Sequence, residues 1–457
     1  MQDIFNSLGL VRTHETTGGG DFLSRFAVSD LAENAIGAIG AALGDLLATA
    51  LFAEAAPGPS AITPLVDRRL ASLWFGISIE PIGWELPPAW DAIAGDYETR
   101  DGWIKLHTNL PHHRRAACAA LGLKPETADK DAVARILKTA QKDTIETAIV
   151  GEGGVAAAMR SQDEWAVHQQ GAAVASEPLI DWRRPRRISR REWPAHAERP
   201  LEGVKVLDVT RVLAGPVATR TLAAFGAQVL RIDPPGWDEQ IVIPEVTLGK
   251  HCARLDLKSA QGRDTFKALL AEADIFVHGL RPGALDALGF SVDGRRAVNQ
   301  DLIDVSLNAY GWTGPWSARR GFDSLVQMSS GIAEAGMIWA CADRPTPLPV
   351  QALDFATGYL MAAAAVKALS NRARGLPVAD ARLSLARTAL LLTKSRQPSP
   401  KGATITGPEA ADWSETVEET GWWGPAKRLK PPLRVRPAPM RWNKAAGHLG
   451  SSPARWP

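Results

Sequence analysis

The sequence predicts an α/β protein whose main part, residues 200–395, is a doubly wound (Rossmann-like) parallel sheet. Short apolar segments typical of strands recur in this region, and helical segments of about 10–15 residues separate them. This alternation requires parallel strands joined by right-handed crossovers. A smaller α+β domain is expected beside the sheet.

The predicted strands are Val204–Val209, Val229–Ile232, Ala253–Leu257, Ile275–Val277 and Leu302–Leu307. The first strand leads to Gly215-Pro216, which opens a helix that Gly226 ends. A second helix is expected after Ser259, a preferred N-cap residue. The turn between the first strand and the first helix is where doubly wound sheets bind phosphates and nucleotides.

Residues 1–180 form a helix-rich region of mixed composition. A strand pair is predicted at Gly95–His107, with Asp101-Gly102 in the turn. Two helical segments follow, at Arg114–Leu121 and Asp131–Ala148.

Residues 181–199 are predicted to be an exposed linker. Within them, Trp182–Arg191 contains six arginines in ten residues, interrupted by a proline. Like charges and a proline disfavour a packed element, although binding of phosphates by the arginines is an alternative. Residues 396–457 form a Pro- and Trp-rich tail, for which packing on a folded surface is favoured over stacking on an adenine.

The composition excludes several classes of protein. With 52 Lys+Arg against 50 Asp+Glu in 457 residues, the chain lacks the basic excess of a nucleic-acid-binding protein. Its three cysteines, Cys118, Cys252 and Cys341, fit neither a disulfide framework nor a metal site, so a cytoplasmic location is expected. No secretory signal is visible. The apolar stretch Ala35–Ala53 carries Asp45 near its centre, which favours a packed helix over a membrane span.

Fingerprints of common catalytic sites are absent from the sequence. The first strand-to-helix turn is neither a dinucleotide-binding fingerprint nor a P-loop. The nine histidines are scattered, and the neighbouring His112 and His113 are expected to point in different directions. No metal site and no tightly bound cofactor are therefore expected.

A set of linked motifs resembles the family III CoA-transferases, which include formyl-CoA transferase, the carnitine CoA-transferases and α-methylacyl-CoA racemase. The motifs are DVTRVLAGP from Asp208, FGAQVLRID from Phe225, LDLKSAQG from Leu255, RPGALDALG from Arg281, YGWTGP from Tyr310, GFD from Gly321 and LDFATG from Leu353. They occur in family order. The resemblance implies coenzyme A and acyl-CoA as substrates, small carboxylic acids as partners, and a homodimer without nucleic acid or membrane.

The N-terminal region resembles the same family, but in a different order. Asp96–His107 is similar to the start of the family's small domain, and Gly154–Leu179 to the segment that returns to the large domain. In the family these segments follow the α/β half, whereas here they precede it. The resemblance therefore implies a circularly permuted member, or a fused and trimmed duplication.

The resemblance places the catalytic aspartate at Asp354. From the residues alone, Asp354 lies between apolar segments at the start of an Ala-rich helix, which also fits a helix N-cap. In the implied mechanism its carboxylate attacks an acyl-CoA thioester, giving an acyl-aspartyl anhydride and CoA thiolate. The thiolate then attacks the aspartyl carbonyl, which leaves an aspartyl-CoA thioester that an acceptor carboxylate converts back by the reverse steps.

Motif positions imply that CoA is bound by Arg211, Val212, Ala214, Lys250 and Arg281. Arginine and lysine suit phosphate groups, although a surface residue without a ligand is an equally consistent interpretation of Arg281 and of Lys250. Leu213 stands where formyl-CoA transferase has a glutamine, and His251 replaces a more usual arginine. These changes suggest a different acyl substrate.

Two alternative functions remain open. The racemase branch of the family pairs its aspartate with a histidine at the position of Phe322, and phenylalanine cannot transfer a proton. Racemisation is therefore disfavoured. A catalytically silent CoA-binding homologue is the second alternative, because permutation could have removed part of the small domain. For Asp323, capping a helix is favoured over orienting a substrate.

Overall fold

The structure is a computed structural model that describes residues 1–11, 14–51, 62–189, 196–239, 241–395, 402–419 and 423–457. Its helices are α1 (Gln2–Leu8), α2 (Val28–Leu51), α3 (Arg68–Leu73), α4 (Pro111–Leu121), α5 (Lys130–Leu137), α6 (Lys142–Gly151), α7 (Gln162–Val167), α8 (Gln169–Ala175), α9 (Ala214–Ala224), α10 (Ile243–Val246), α11 (Ala260–Glu272), α12 (Ala284–Ala287), α13 (Val292–Val298), α14 (Asp323–Ser329), α15 (Ile332–Trp339), α16 (Ala352–Ala373) and α17 (Leu385–Lys394).

The strands are β1 (Glu15–Thr17), β2 (Asp21–Phe22), β3 (Leu65–Asp67), β4 (Ile79–Pro81), β5 (Gly95–Thr99), β6 (Gly102–Leu106), β7 (Ala156–Ala158), β8 (Asp181–Arg186), β9 (Lys205–Val209), β10 (Gln228–Asp233), β11 (Lys250–Arg254), β12 (Ile275–His278), β13 (Ile303–Asn308), β14 (Val378–Ser384), β15 (Thr404–Ile405), β16 (Trp413–Glu419), β17 (Pro425–Leu429) and β18 (Leu433–Arg434).

A seven-stranded sheet forms the centre of the protein, with the strand order β11-β10-β9-β12-β13-β14-β8. The first six strands are parallel, as the sequence predicts, and β8 joins the edge antiparallel to β14. Counted from β9, the parallel strands have the order 3-2-1-4-5-6, which is the doubly wound arrangement. The order reverses between β9 and β12, and open sheets of this kind bind ligands at that reversal.

The prediction of an exposed linker at 181–199 is wrong for its first six residues, which form the edge strand β8. Asp181–Arg186 pairs with β14, although most of its side chains remain partly or fully exposed. An edge strand needs only one hydrogen-bonded neighbour, so charged outward-facing arginines are compatible with it and discourage further strand pairing. Residues 190–195, which include the end of the arginine run, lie outside the described residues.

Two long apolar helices, α2 and α16, pack against each other beneath the sheet. Both are long and apolar enough to cross a membrane by length and composition, yet 89% and 94% of their apolar windows are buried inside the protein. Asp45 of α2 accepts a hydrogen bond from Ser370 of α16 at 2.8 Å and pairs with Lys367 at 3.1 Å. The expectation of a packed helix is confirmed for the described part of Ala35–Ala53.

A three-stranded antiparallel sheet, β5-β6-β7, packs with α4, α5 and α6 around a small core of its own. The predicted strand pair is present, but its turn is Arg100-Asp101, because Gly102 already pairs with Thr99. The helical segment predicted at Asp131–Ala148 is two helices, α5 and α6.

The C-terminal segment packs along the folded surface and joins strands from the N-terminal region. β17 pairs with β4, and β18 with β3. Trp442 stacks on Trp74 with ring centroids 5.4 Å apart, and the Trp456 ring covers part of the core on the other face of the sheet. Trp422 lies outside the described residues.

Candidate active site

The turn after β9 is the first component of the site. Its residue Val212 has φ 64°, a left-handed conformation that a β-branched side chain rarely adopts. The Val212 N–H donates to Glu239 at 2.8 Å, and the Glu239 carboxylate also pairs with Arg231. Such a conformation costs about 1–3 kcal/mol and persists only where surrounding contacts impose it, which is common at ligand sites.

Helix α16 is the second component, because it carries Asp354 in its first turn. The helix crosses α9 closely at Gly358, where a Cβ atom would lie 2.4 Å from the Ala214 carbonyl oxygen. Only glycine permits this approach, and it brings the start of α16 beside the turn after β9. Asp354 is 7% exposed.

Asp323, the first residue of α14, holds the start of α16 from outside that helix. Its Oδ2 accepts the N–H groups of Leu353 at 2.8 Å and Asp354 at 2.9 Å, and its Oδ1 accepts the Gln327 side-chain amide. Asp354 is therefore not an N-cap: Gln351 occupies that position, and the capping carboxylate belongs to Asp323. The capping role expected for Asp323 is present, but it acts on a helix distant in sequence.

Two buried carboxyl groups thus lie side by side. Burial, and then the neighbouring Asp323 carboxylate, raise the pKa of Asp354 well above its usual range. Burial also raises the pKa of Asp323 to about 6, although three donated hydrogen bonds oppose this change. Asp354 accepts none of these three hydrogen bonds, so Asp323 holds the negative charge more readily. When the pair carries a single proton, that proton resides on Asp354.

A cavity of about 370 Å³ brings together four of the predicted CoA-binding residues and the predicted nucleophile. Arg211, Val212, Ala214, Arg281 and Asp354 all line it. The cavity lies at the carboxyl ends of β9, β12 and β13, beside the point where the strand order reverses. The sequence motifs therefore converge on one site in space.

The structure contradicts the prediction for Lys250. This residue is 1% exposed and does not line the cavity. Its ammonium group donates to Asp208 at 3.0 Å and to the Pro216 carbonyl at 2.9 Å, beneath the turn after β9. Burial would raise the pKa of Asp208, but Lys250 and the other partners outweigh it and lower that pKa. Lys250 thus supports the turn from below.

Positive charge lines the cavity. Arg319 and Arg320 join the predicted Arg211 and Arg281 there. Arg319 pairs with Glu146 at 3.0 Å, whereas in the described parts of the chain no carboxylate lies within ion-pair distance of Arg211, Arg281 or Arg320. Burial, and then neighbouring Arg281, lower the pKa of Arg320. Adjacent arginines without acidic partners suit the phosphate groups of a ligand.

Sequence reasoning missed the histidines of this site. The rings of His112 and His113 lie 4.2 Å apart and both line the cavity, contrary to the expectation that they point apart. The His107 ring stacks on Phe322 at 4.0 Å. Burial lowers the pKa of His107 to about 4, and burial together with nearby positive groups lowers that of His113 to about 3. Nothing in the spacing of these residues indicates that they meet Phe322.

Known proteins resemble this part of the chain. A sequence profile of CoA-transferase family III matches residues 201–412. A probable fatty acyl-CoA transferase of Mycobacterium tuberculosis is 31% identical over 236 residues, or 45% of this chain and 58% of that protein. A solved structure of the same protein aligns with a TM-score of 0.38 and 31% identity, covering 42% of this chain and 56% of that chain.

Human succinyl-CoA:glutarate CoA-transferase is 37% identical over 147 residues, which is 29% of this chain and 34% of that protein. The chain thus spans less than two thirds of the length of the curated relatives it matches. The similarity includes the turn after β9 and the start of α16, so it covers the part of the cavity that contains Asp354 but not Leu110, His112 or His113. Residues 201–412 are therefore similar to CoA-transferase family III.

Proposed function

We propose that the protein transfers coenzyme A between an acyl-CoA donor and a carboxylic acid acceptor, with Asp354 as the nucleophile. The observation that carries this proposal is the position of Asp354 in a cavity whose wall holds four arginines. The arginines suit the phosphates of CoA, and the buried carboxylate is the only nucleophilic group that the covalent route requires.

In the proposed reaction, an Asp354 carboxylate oxygen attacks the thioester carbon, and the carbon–sulfur bond breaks to release CoA thiolate. The thiolate then attacks the aspartyl carbonyl of the mixed anhydride, releasing the donor acid as a carboxylate. The acceptor carboxylate then attacks the carbonyl of the aspartyl-CoA thioester and releases CoA thiolate. The thiolate attacks the acceptor carbonyl of the new anhydride, which frees the Asp354 carboxylate and the acceptor's CoA thioester. Because one thioester replaces another, no ATP is needed.

The test is chemical trapping of the aspartyl intermediate. Purified protein is incubated with acyl-CoA donors, treated with hydroxylamine and digested, and the peptide containing Asp354 is weighed. A hydroxamate at Asp354 is expected with at least one donor. Asp354→Asn removes the nucleophile, and Asp343→Asn, at an exposed position, is the matched control. Absence of any adduct despite measurable CoA binding would refute the proposal and would indicate a catalytically silent CoA-binding protein.

Racemisation of an acyl-CoA is the second candidate, because His113 lines the same cavity as Asp354. Two bases on opposite faces of a carbon are what that reaction needs. However, an imidazole whose pKa is about 3 is a weak proton acceptor near neutral pH. Exchange of α-deuterium from a 2-methylacyl-CoA, without any adduct at Asp354, would favour racemisation over transfer.

The proposal includes a cytoplasmic homodimer. The three cysteines form no disulfide, and Cys118 and Cys252 are buried, which suits a reducing compartment. Light scattering during gel filtration tests the oligomeric state.

A further inference from the structure

A second cavity, of about 760 Å³, opens beside the one that contains Asp354. Its walls are mainly apolar, and they include Phe75, Ile77, Trp90, Val242, Val350 and Phe355. We call this cavity the apolar chamber. Its volume falls within the range of roughly 300–1,000 Å³ of pockets that bury most of a small-molecule ligand. For comparison, a cavity of about 150 Å³ lined by apolar side chains holds benzene.

The apolar chamber adjoins the arginine-lined cavity. Five residues line both of them, namely Leu110, Val212, Leu213, Trp237 and Phe322. Asp354 faces the arginine-lined cavity, and the next residue, Phe355, lines the chamber. A thioester carbon held at Asp354 therefore has room for CoA on the arginine side and for its acyl group on the apolar side.

The two cavities differ in charge. Among the described residues that line the apolar chamber there is neither arginine nor lysine, whereas the other cavity has four arginines. The charged lining residues of the chamber are Asp91, Asp238 and Glu239. Asp91 pairs with Arg114 at 2.9 Å, and Glu239 pairs with Arg231. A second carboxylate on the acyl group would lose its hydration here without gaining a cation.

The wall that separates the two cavities is also uncharged near neutral pH. The His107 ring stacks on Phe322 with an interplanar angle of 10°, and the edge of Trp90 meets His107 at 5.5 Å. Burial, and then nearby Lys105, lower the pKa of His107 to about 4, so the imidazole is neutral. This aromatic stack offers an apolar surface to an acyl chain. The Lys105 ammonium lies 5.5 Å from the centre of the Trp90 ring, but it pairs with Asp96 at 2.8 Å and does not line the chamber.

We infer that the apolar chamber holds the acyl group of a hydrophobic monocarboxylic acid, such as a medium-chain or arylalkanoic acid. This inference rests on the proposed CoA transfer. It separates the present chain from relatives whose names specify dicarboxylic acids, because the chamber lacks a cation for the second carboxylate. The chamber determines which acyl groups bind, and the reaction takes place where the thioester carbon reaches Asp354.

Binding affinity tests the inference without requiring turnover. Calorimetry on Asp354→Asn protein compares CoA, acetyl-CoA, succinyl-CoA and octanoyl-CoA. Since each buried methylene strengthens binding about fourfold, partial burial of six of them is expected to favour octanoyl-CoA over acetyl-CoA by roughly a hundredfold. Succinyl-CoA is expected to bind no more tightly than acetyl-CoA. Octanoyl-CoA binding within threefold of acetyl-CoA, or more weakly than succinyl-CoA, would overturn the inference.

A charged substitution locates the acyl group. Ile77 lines the chamber and is 38% exposed, so Ile77→Arg can be accommodated without burying the new charge. In the Asp354→Asn background it is expected to reduce the preference for octanoyl-CoA over acetyl-CoA to tenfold or less. The matched control is Ile338→Arg, at a 63% exposed position on α15 outside the chamber. An undiminished preference in Ile77→Arg would place the acyl group elsewhere and refute the inference.

Failure of this inference differs from failure of the proposed function. If the protein prefers octanoyl-CoA but the wild-type protein forms no hydroxamate, the chamber is a binding site and the proposed CoA transfer is wrong. If a hydroxamate forms at Asp354 but octanoyl-CoA is not preferred, CoA transfer is supported and the proposed role of the chamber is wrong.

Discussion

Replacing Asp323 by asparagine is expected to shift the pH dependence of adduct formation at Asp354 downward. In the proposed reaction Asp354 attacks only as a carboxylate, so adduct formation is expected to fall as pH drops through its raised pKa. The Asp323 carboxylate contributes to that raised pKa. Asp323→Asn removes the charge while its amide oxygen can still accept an N–H from the start of α16. The Asp354 carboxylate then persists to lower pH.

The size of the shift follows from the repulsion between the two carboxylates. At an effective dielectric constant of 20, two unit charges about 4 Å apart repel by about 4 kcal/mol, which corresponds to about three pKa units and falls in inverse proportion to their separation. Since the pKa of Asp323 is about 6, its charge is present mainly above that pH. The wild-type protein should therefore need a clearly more alkaline solution than Asp323→Asn to form the adduct at half its maximal rate.

The assay is single-turnover trapping with hydroxylamine between about pH 5 and pH 9, with the Asp354 peptide quantified by mass spectrometry. Asp343→Asn, at an exposed position, controls for loss of a carboxylate as such. A lower maximal rate with an unchanged midpoint would show that Asp323 acts only by positioning α16. A midpoint that moves to higher pH would refute the electrostatic argument.

Two further substitutions test how the fold positions the site. Gly358→Ala places a Cβ 2.4 Å from a backbone carbonyl oxygen of α9, so we expect a loss of about 1–3 kcal/mol in the free energy of unfolding, measured with urea. Gly407→Ala, where no neighbouring atom lies within 4 Å, should be close to neutral; equal losses in both would contradict the packing argument. Lys250→Met leaves Asp208 buried without its cation and should destabilise by about 3–5 kcal/mol. If Lys250→Met instead weakens CoA binding and leaves thermal stability unchanged, the prediction that Lys250 binds CoA is correct.

The parts of the molecule that the sequence could predict are those that depend on local pattern. The strands β9, β10, β12 and β13 lie where short segments rich in apolar residues predict them, and Ser259 does cap α11 by accepting a 3.0 Å hydrogen bond from the Gly262 N–H. The family resemblance assigned Asp354 and Arg281 to the site, and both line one cavity. Arg281 lies there because strand ends in a doubly wound sheet meet at one edge. These predictions required no knowledge of side-chain partners.

The parts that could not be predicted depend on partners far apart along the chain. Asp323 is the first residue of α14, yet its carboxylate caps α16. Lys250 ends as an ion pair with Asp208 because both point beneath the same turn, which a sequence pattern does not reveal. The stack of His107 on Phe322 joins the small antiparallel sheet to the site from a different region of the chain.

Burial of Asp354 has two opposing consequences for the proposed reaction. It raises the pKa of the nucleophile, which reduces the carboxylate fraction at neutral pH. It also excludes water from the anhydride and from the aspartyl thioester, both of which would otherwise hydrolyse and waste the donor. Greater exposure of Asp354 would ionise it more easily but would expose these intermediates. Asp323→Asn separates the two effects, because it removes the repulsion and leaves Asp354 buried, so faster trapping at low pH should come without faster hydrolysis of acyl-CoA.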